Sequence, residues 1–353
     1  MRPANTPPPA LILIALLSFA AVLAGCLIGP ADFSLSQSLS ALFGGGTEAA
    51  QIIVREIRLP RALAAWAAGA ALGASGAALQ GLLRNPLADP GVLGVSAASA
   101  LGAVIAIYFN LSAGAAWATP LAAILFALGA TAILYVLGAG RVSPTRLILI
   151  GVGLSSLAGA LITLVMNLAP NPFILTDLVN WLFGSVANRS FDDLALTGPF
   201  MLAGLALLLS ARSGLAALTL GEEAAFSLGA DIARLRAVVI AGAALLTGAS
   251  VALAGAIGFV GVVAPHLARP FAGHDPGRTV LPAALIGGAM LAAADLMIRL
   301  LPSTTNCGSA SPPRSSARPL SSGSPPARRG LRDDRPSLAL QSERYARNGA
   351  DPL

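Results

Sequence analysis

Long apolar stretches, rather than short amphipathic periods, dominate the pattern of this chain. Residues 3–31, 62–83, 90–140, 147–176, 194–211, 237–268 and 279–294 contain no Asp, Glu or Arg. A helix needs about 20 predominantly apolar residues to cross the hydrocarbon core of a bilayer. The 90–140 stretch is too long for one crossing, and a break near residues 110–120 predicts two helices of about 17–24 residues. The 237–268 stretch is too long for one span and too short for two. Gly255, Gly258, Gly261 and Pro265 place its break, as a full helix followed by a shortened one. Nine membrane segments result, centred near residues 20, 70, 101, 127, 157, 203, 248, 264 and 288. The reading is an all-α, polytopic membrane helix bundle over 1–302.

Composition agrees. Hydrophobic residues make up 56% of the chain and charged residues 11%. Soluble domains carry roughly 25% charge, so this surface is not built for water. The first stretch contains Leu23-Ala24-Gly25-Cys26, which looks like a lipoprotein cleavage site. Lipoprotein signals usually precede soluble domains; here eight more spans follow, so it is read as an uncleaved first helix. All 22 basic residues are arginine. A phosphate-binding P-loop requires a lysine, so ATP-driven work would need another subunit. Gly151 opens a G-x-G-x-x-S run inside an apolar stretch and reads as helix packing. His266 and His274 have no carboxylate in helical register that would complete a metal site, and no cofactor is expected.

Arginine placement orients the bundle, because cytoplasmic loops are enriched in basic residues. With the N-terminus inside, Arg2, Arg84, Arg141, Arg146, Arg212, Arg234, Arg236, Arg269 and Arg278 lie inside, against Arg55, Arg58, Arg61, Arg189 and Arg299 outside. Three of the outside arginines crowd into seven residues, 55–61. They are either a docking surface for an acidic partner or an interfacial cluster capping the second helix. Gly69, Gly73 and Gly76 share a helix face and permit close backbone approach. No carboxylate falls mid-span except Asp295, near the end of the last segment and at i, i+4 from Arg299. Coupled carriers tend to keep an ionisable group at the bilayer centre, which disfavours the main alternative, an ATPase-independent secondary transporter or channel. A membrane enzyme is disfavoured by the scatter of its polar residues.

From Arg58 the chain reads RLPRALAAWAAGAALGASGAALQGLLRNPLADPGVLGVSAASALGA. WLFG follows at 181–184, LGEEAAFSLG at 220–229 and SVALAGAIGFVGVVAPHLAR at 250–269. Together these blocks resemble the FecCD/BtuC-type permease subunits of bacterial ABC importers for iron–siderophore complexes, haem and cobalamin. The resemblance covers about residues 10–302. It implies ten transmembrane helices in the inner membrane and a second permease copy or paralogue, with one path at their interface. It also implies a cytoplasmic ATPase dimer and a periplasmic or lipid-anchored substrate-binding protein; no nucleic acid is involved. Arg58, Arg61 and Arg299 match the family's outward-facing docking arginines.

The ATPase contact falls on Leu220, Gly221, Glu222, Glu223, Ala224, Ala225, Leu228 and Gly229. The glycines bracket a short rigid helix, the glutamates suit its N-terminus, and Ala224, Ala225 and Leu228 give it an apolar face. Ser143 and Thr145 stand where the family has a gate, and Asn167 ends the same segment outside. Residues 177–186 read as a short re-entrant or interfacial helix. Ferric siderophore is the expected cargo.

The resemblance stops after Pro302. Residues 303–353 hold eight of the 22 arginines among Ser, Pro and Gly, a composition expected to be disordered. Either a frameshift has replaced the tenth helix, or the permease is a genuine short form. The Ala-, Gly- and Arg-rich, lysine-free composition suggests a GC-rich gene and favours the first.

Overall fold

The computed structural model describes residues 8–31, 33–137 and 144–301, all within one unit, Met1–Pro302. Fourteen α-helices are found among them: α1 (Pro8–Leu27), α2 (Leu35–Leu42), α3 (Glu48–Gln51), α4 (Leu59–Leu83), α5 (Val95–Tyr108), α6 (Ala118–Leu137), α7 (Pro144–Asn167), α8 (Pro172–Phe183), α9 (Phe191–Ser210), α10 (Arg212–Ala217), α11 (Glu222–Ser227), α12 (Ile232–Ala254), α13 (Val260–Ala268) and α14 (Pro276–Leu300). Seven stretches are long and apolar enough to cross a membrane: α1, the helix ending in α4, α6, α7, α9, α12 and α14. With the shorter α5 and α13 they account for all nine expected segments. The two ends of the bundle are called outer and inner after the arginine bias, which assigns the start of α4 and the end of α14 to the outside.

Burial divides the helices by role. The spans ending in α4 and α12 are each 78% buried, whereas α7 is only 11% buried. Small residues explain why α4 can sit at the centre. A Cβ on Gly69 would strike the Gly287 carbonyl, one on Gly73 the Ala283 carbonyl, and one on Gly76 the Gly261 carbonyl. With no side chain at these positions, α14 and α13 lie directly on the α4 backbone. Buried hydroxyls add cross-links: Ser250 Oγ donates to the Ala68 carbonyl at 3.2 Å and lies in α12.

Two expectations are corrected. The fifth helix is 14 residues long, not 17–24, because Pro90–Leu93 forms a separate 3-10 turn. Asp89 caps that turn by accepting the Gly91 N–H at 2.7 Å, and Gly94, at φ 76°, ends it. The short helix expected at 177–186 instead starts at Pro172, where Asn171 Oδ1 accepts the Ile174 N–H at 2.9 Å; Pro is well tolerated at this first helical position. The glycine break falls where expected. The helix α12 ends at Gly255, with φ 74°, and the nine-residue α13 begins at Val260. Between them Gly258 and Phe259 are exposed, Phe259 in the left-handed region at φ 67°. The tail 303–353 lies outside the described residues.

Candidate functional site

At the inner end, α11 is a six-residue helix between two glycines, Gly221 at φ 98° and Gly229 at φ 86°. Nothing lies within 4 Å of a Cβ built on either, so backbone angle rather than crowding calls for glycine. Ala225 is buried and anchors the helix; Ala224 is half-buried. Leu220, Phe226 and Leu228 project outward at 65%, 73% and 67% exposure. The expected apolar face is therefore split, with Ala225 inward and Leu228 outward. Phe226 was missed as a site residue, because a six-residue helix is too short for its period to mark which apolar side chain turns outward. Glu222 and Glu223 occupy the first turn. Glu222 Oε1 lies 2.6 Å from Arg236 Nη2, tying α11 to α12. Behind it, a cleft of about 510 Å³ lies between the α9–α10 corner and the start of α12, lined by residues including Gly214, Gly229 and Leu235.

At the outer end, Arg58, Arg61 and Arg299 come together, but they point inward. Arg58 is 4% exposed; its Nη1 donates to the Leu27 carbonyl at 3.0 Å, and its Nη2 is buried with no hydrogen-bond partner. Arg61 forms a fork on Asp295, with Nη2 at 2.7 Å and Nε at 3.0 Å from Oδ1. Arg299 Nε lies 3.1 Å from Asp295 Oδ2, and its Nη2 donates to the Gly25 carbonyl at 2.9 Å. The expected Asp295–Arg299 pair is present, and Arg61 joins it. Gly29 belongs to the same assembly, since a Cβ there would sit 2.8 Å from Arg58 Nε. The helix α1 runs unbroken through the Leu-Ala-Gly-Cys stretch, and Cys26 is buried beside these groups.

Along α7, Thr145, Gly153, Ser156, Thr163 and Asn167 are all exposed. Their spacing puts them on one face, and from Thr145 to Asn167 it runs about 33 Å at 1.5 Å per residue. Asn167 Nδ2 donates to the Thr163 carbonyl at 2.8 Å, so its amide oxygen faces outward unused by the helix. Ser155, on another side, donates to the Gly91 carbonyl at 3.2 Å and holds α7 against the 3-10 turn. Ser143 lies outside the described residues.

A bundle of membrane-length helices with a small-residue core is the architecture of a multi-pass membrane protein. Family comparison makes the assignment specific: residues 13–309 match the FecCD transport family, and the chain belongs to it as an ABC permease. It is 42% identical over 261 residues to the vitamin B12 import system permease of Vibrio cholerae, covering 73% of this chain and 78% of that one. The ferric enterobactin transport system permease of Escherichia coli is 36% identical over 297 residues, covering 83% and 87%. A solved metal-chelate-type ABC transporter in an inward-facing conformation superposes with a TM-score of 0.73 at 32% identity, covering 83% of this chain and 90% of that one.

Proposed function

We propose that this chain is the permease subunit of an ABC importer in the bacterial inner membrane, moving a bulky metal chelate inward and catalysing no reaction itself. The observation that carries this reading is α11. A chain with no lysine, hence no P-loop, nevertheless presents a short helix between two glycines with Leu220, Phe226 and Leu228 exposed on and beside it. Such an element suits insertion into a groove on a separate ATPase, whose closure it passes on as a rigid-body push.

The outer arginines fit a substrate-binding protein. Arg61 and Arg299 share the Asp295 carboxylate, while Arg58 lies buried beside them on the Leu27 carbonyl, so the cluster carries more positive than negative charge. A buried cation without a partner is costly, so incoming carboxylates from the binding protein would be welcomed there by Arg58, Arg61 and Arg299. The exposed face of α7 from Thr145 to Asn167, which mixes Ser, Thr and Asn with Leu149, fits the wall of a path completed by a second permease copy or paralogue. Weakly polar, uncharged groups suit a cargo that must pass without being trapped. Ser143 is assigned to the gate from the sequence alone. Residues 303–353 stand where the family has its tenth helix, and an apolar run of helix length in another frame of the coding DNA tests that origin.

Ferric siderophore is the first cargo, supported by the long match to the enterobactin permease. Cobalamin is the second, supported by the higher identity to the vitamin B12 permease. The test is uptake into vesicles holding the full chain, its ATPase and internal ATP, with the binding protein and labelled ferric chelate or cobalamin outside. ATP-dependent accumulation of iron chelate is expected. Accumulation without the ATPase overturns the class, and accumulation of cobalamin alone reassigns the cargo.

A further inference from the structure

At the inner end of α4 a pocket of about 260 Å³ is lined by Gln80, Arg84, Thr219, Arg269, His274 and Thr279, among others. Among the described residues, no carboxylate lines it. The nearest in sequence, Asp275, is turned away: its Oδ1 accepts the Gly277 and Arg278 N–H groups, and its Oδ2 pairs with Arg278 at 3.3 Å. Two arginines and a histidine thus face one cavity without an acidic neighbour in its walls.

The pocket is built rather than incidental. Gln80 is 5% exposed, and its Nε2 is aimed at the Gly261 and Val262 carbonyls, each at 3.4 Å. That orientation leaves Oε1 to accept from Arg269 Nη2 at 2.6 Å. One edge of the Arg269 guanidinium is held this way, and its remaining N–H groups are left for a ligand. Arg84 and His274 both adopt left-handed backbone conformations, at φ 48° and 63°. Five non-glycine residues among those described do so, and two of them line this one pocket. Strained residues of this kind gather where geometry serves binding.

We infer that this pocket binds a phosphate group, with Arg84 and Arg269 as its charged donors and His274 as a third. Arginine's planar fork of N–H donors matches tetrahedral phosphate oxygens. Two sources supply that chemistry on the inner side: the headgroup of an anionic phospholipid, and free phosphate.

The experiment uses the full chain purified in a neutral detergent. Its melting midpoint is followed during titration with inorganic phosphate, and separately in nanodiscs of phosphatidylcholine with or without phosphatidylglycerol. Sodium chloride at matched ionic strength is the reference. A midpoint that rises with phosphate, or only with phosphatidylglycerol, supports the site and names its source. Arg84→Gln and Arg269→Gln should each weaken the response by about tenfold, while Arg234→Gln, at an exposed arginine on the same side, should leave it intact. Should the two pocket variants fold poorly, phosphorus NMR line broadening on the unsubstituted chain gives an independent reading of phosphate binding. No response to either source, or an equal response in all three variants, overturns the inference. So does a midpoint that responds only to the ATPase partner, which would make the pocket a socket for an acidic side chain.

Discussion

The two ends of the bundle handle charge and exposure in opposite ways. At the outer end, Arg61 and Arg299 are locked on Asp295 between α4 and α14, with Arg58, the residue before α4, buried beside them. At the inner end, α11 and its flanks show Leu220, Phe226 and Leu228 to solvent, and among the described residues one ion pair, Glu222–Arg236, ties α11 to the body. One end is over-determined and short of negative charge; the other is under-tethered and short of apolar cover. A surface meant to receive a partner can be recognised by either deficit.

The strongest way to break this contrast is Asp295→Ala. It leaves the Arg61 and Arg299 guanidiniums without their carboxylate, and loss of a buried ion-pair partner costs about 3–5 kcal/mol. A large drop in melting midpoint and in monodisperse yield is expected in detergent. Retention of the parent midpoint would show that the arginines are solvated and the outer end is not a locked cluster. Next in size is Phe226→Ser with Leu228→Ser. Each large side chain is worth about 1.5–3 kcal/mol when buried in an interface, so capture of the ATPase should weaken by tenfold or more for each, with the melting midpoint unchanged. Equal loss of stability and binding would make α11 part of the core.

A smaller effect follows from the tether. Arg236→Glu sets two acids side by side, at a cost of about 1 kcal/mol in a partly exposed pair. Cargo delivered per ATP should fall, and the swap Glu222→Arg with Arg236→Glu should restore it; a swap as poor as the single change removes the tether from coupling. The smallest concerns Asp89, whose carboxyl is pushed above the usual range by burial, against the lowering effect of the Gly91 N–H. The folded chain then holds this proton more tightly than the unfolded one. Its contribution to stability is complete below the ordinary aspartate pKa of about 3.9 and fades as pH rises through the folded value. Asp89→Asn should flatten that part of the melting-versus-pH curve, and an unchanged curve would show another group responsible.

Much of the fold was legible because lipid imposes one rule on every span. Charge-free runs marked the seven helices long enough to cross and the shorter α5 and α13, and Gly69, Gly73 and Gly76 marked the helix on which others lie. Length was misjudged where a motif spends residues inside the apolar run: Asp89, Pro90 and Gly94 form a turn that hydropathy alone cannot separate from α5. Arg58 and Arg61 were legible as part of a cluster, yet their inward direction was not, since that of Arg61 depends on Asp295, 234 residues away. Gly221 and Gly229 announced α11. Which of its apolar residues turn outward could not be read, because six residues are too few for a period to show.

The stretch between α12 and α13 has a consequence for where water goes. Among the described residues, the N–H groups of Ala256, Ile257, Gly258 and Phe259 donate no backbone hydrogen bond, and Ala256 follows six residues after Ser250, which meets Ala68 on the central helix. Hydrocarbon tails cannot accept those protons, and each one left bare there would cost several kcal/mol, on the order of a lost peptide hydration. The flank bearing Gly258 and Phe259 is therefore hydrated when the subunit is assembled, a damp seam partway through the bilayer, and labelling of a cysteine placed at Gly258 by a membrane-impermeant thiol reagent should reveal it.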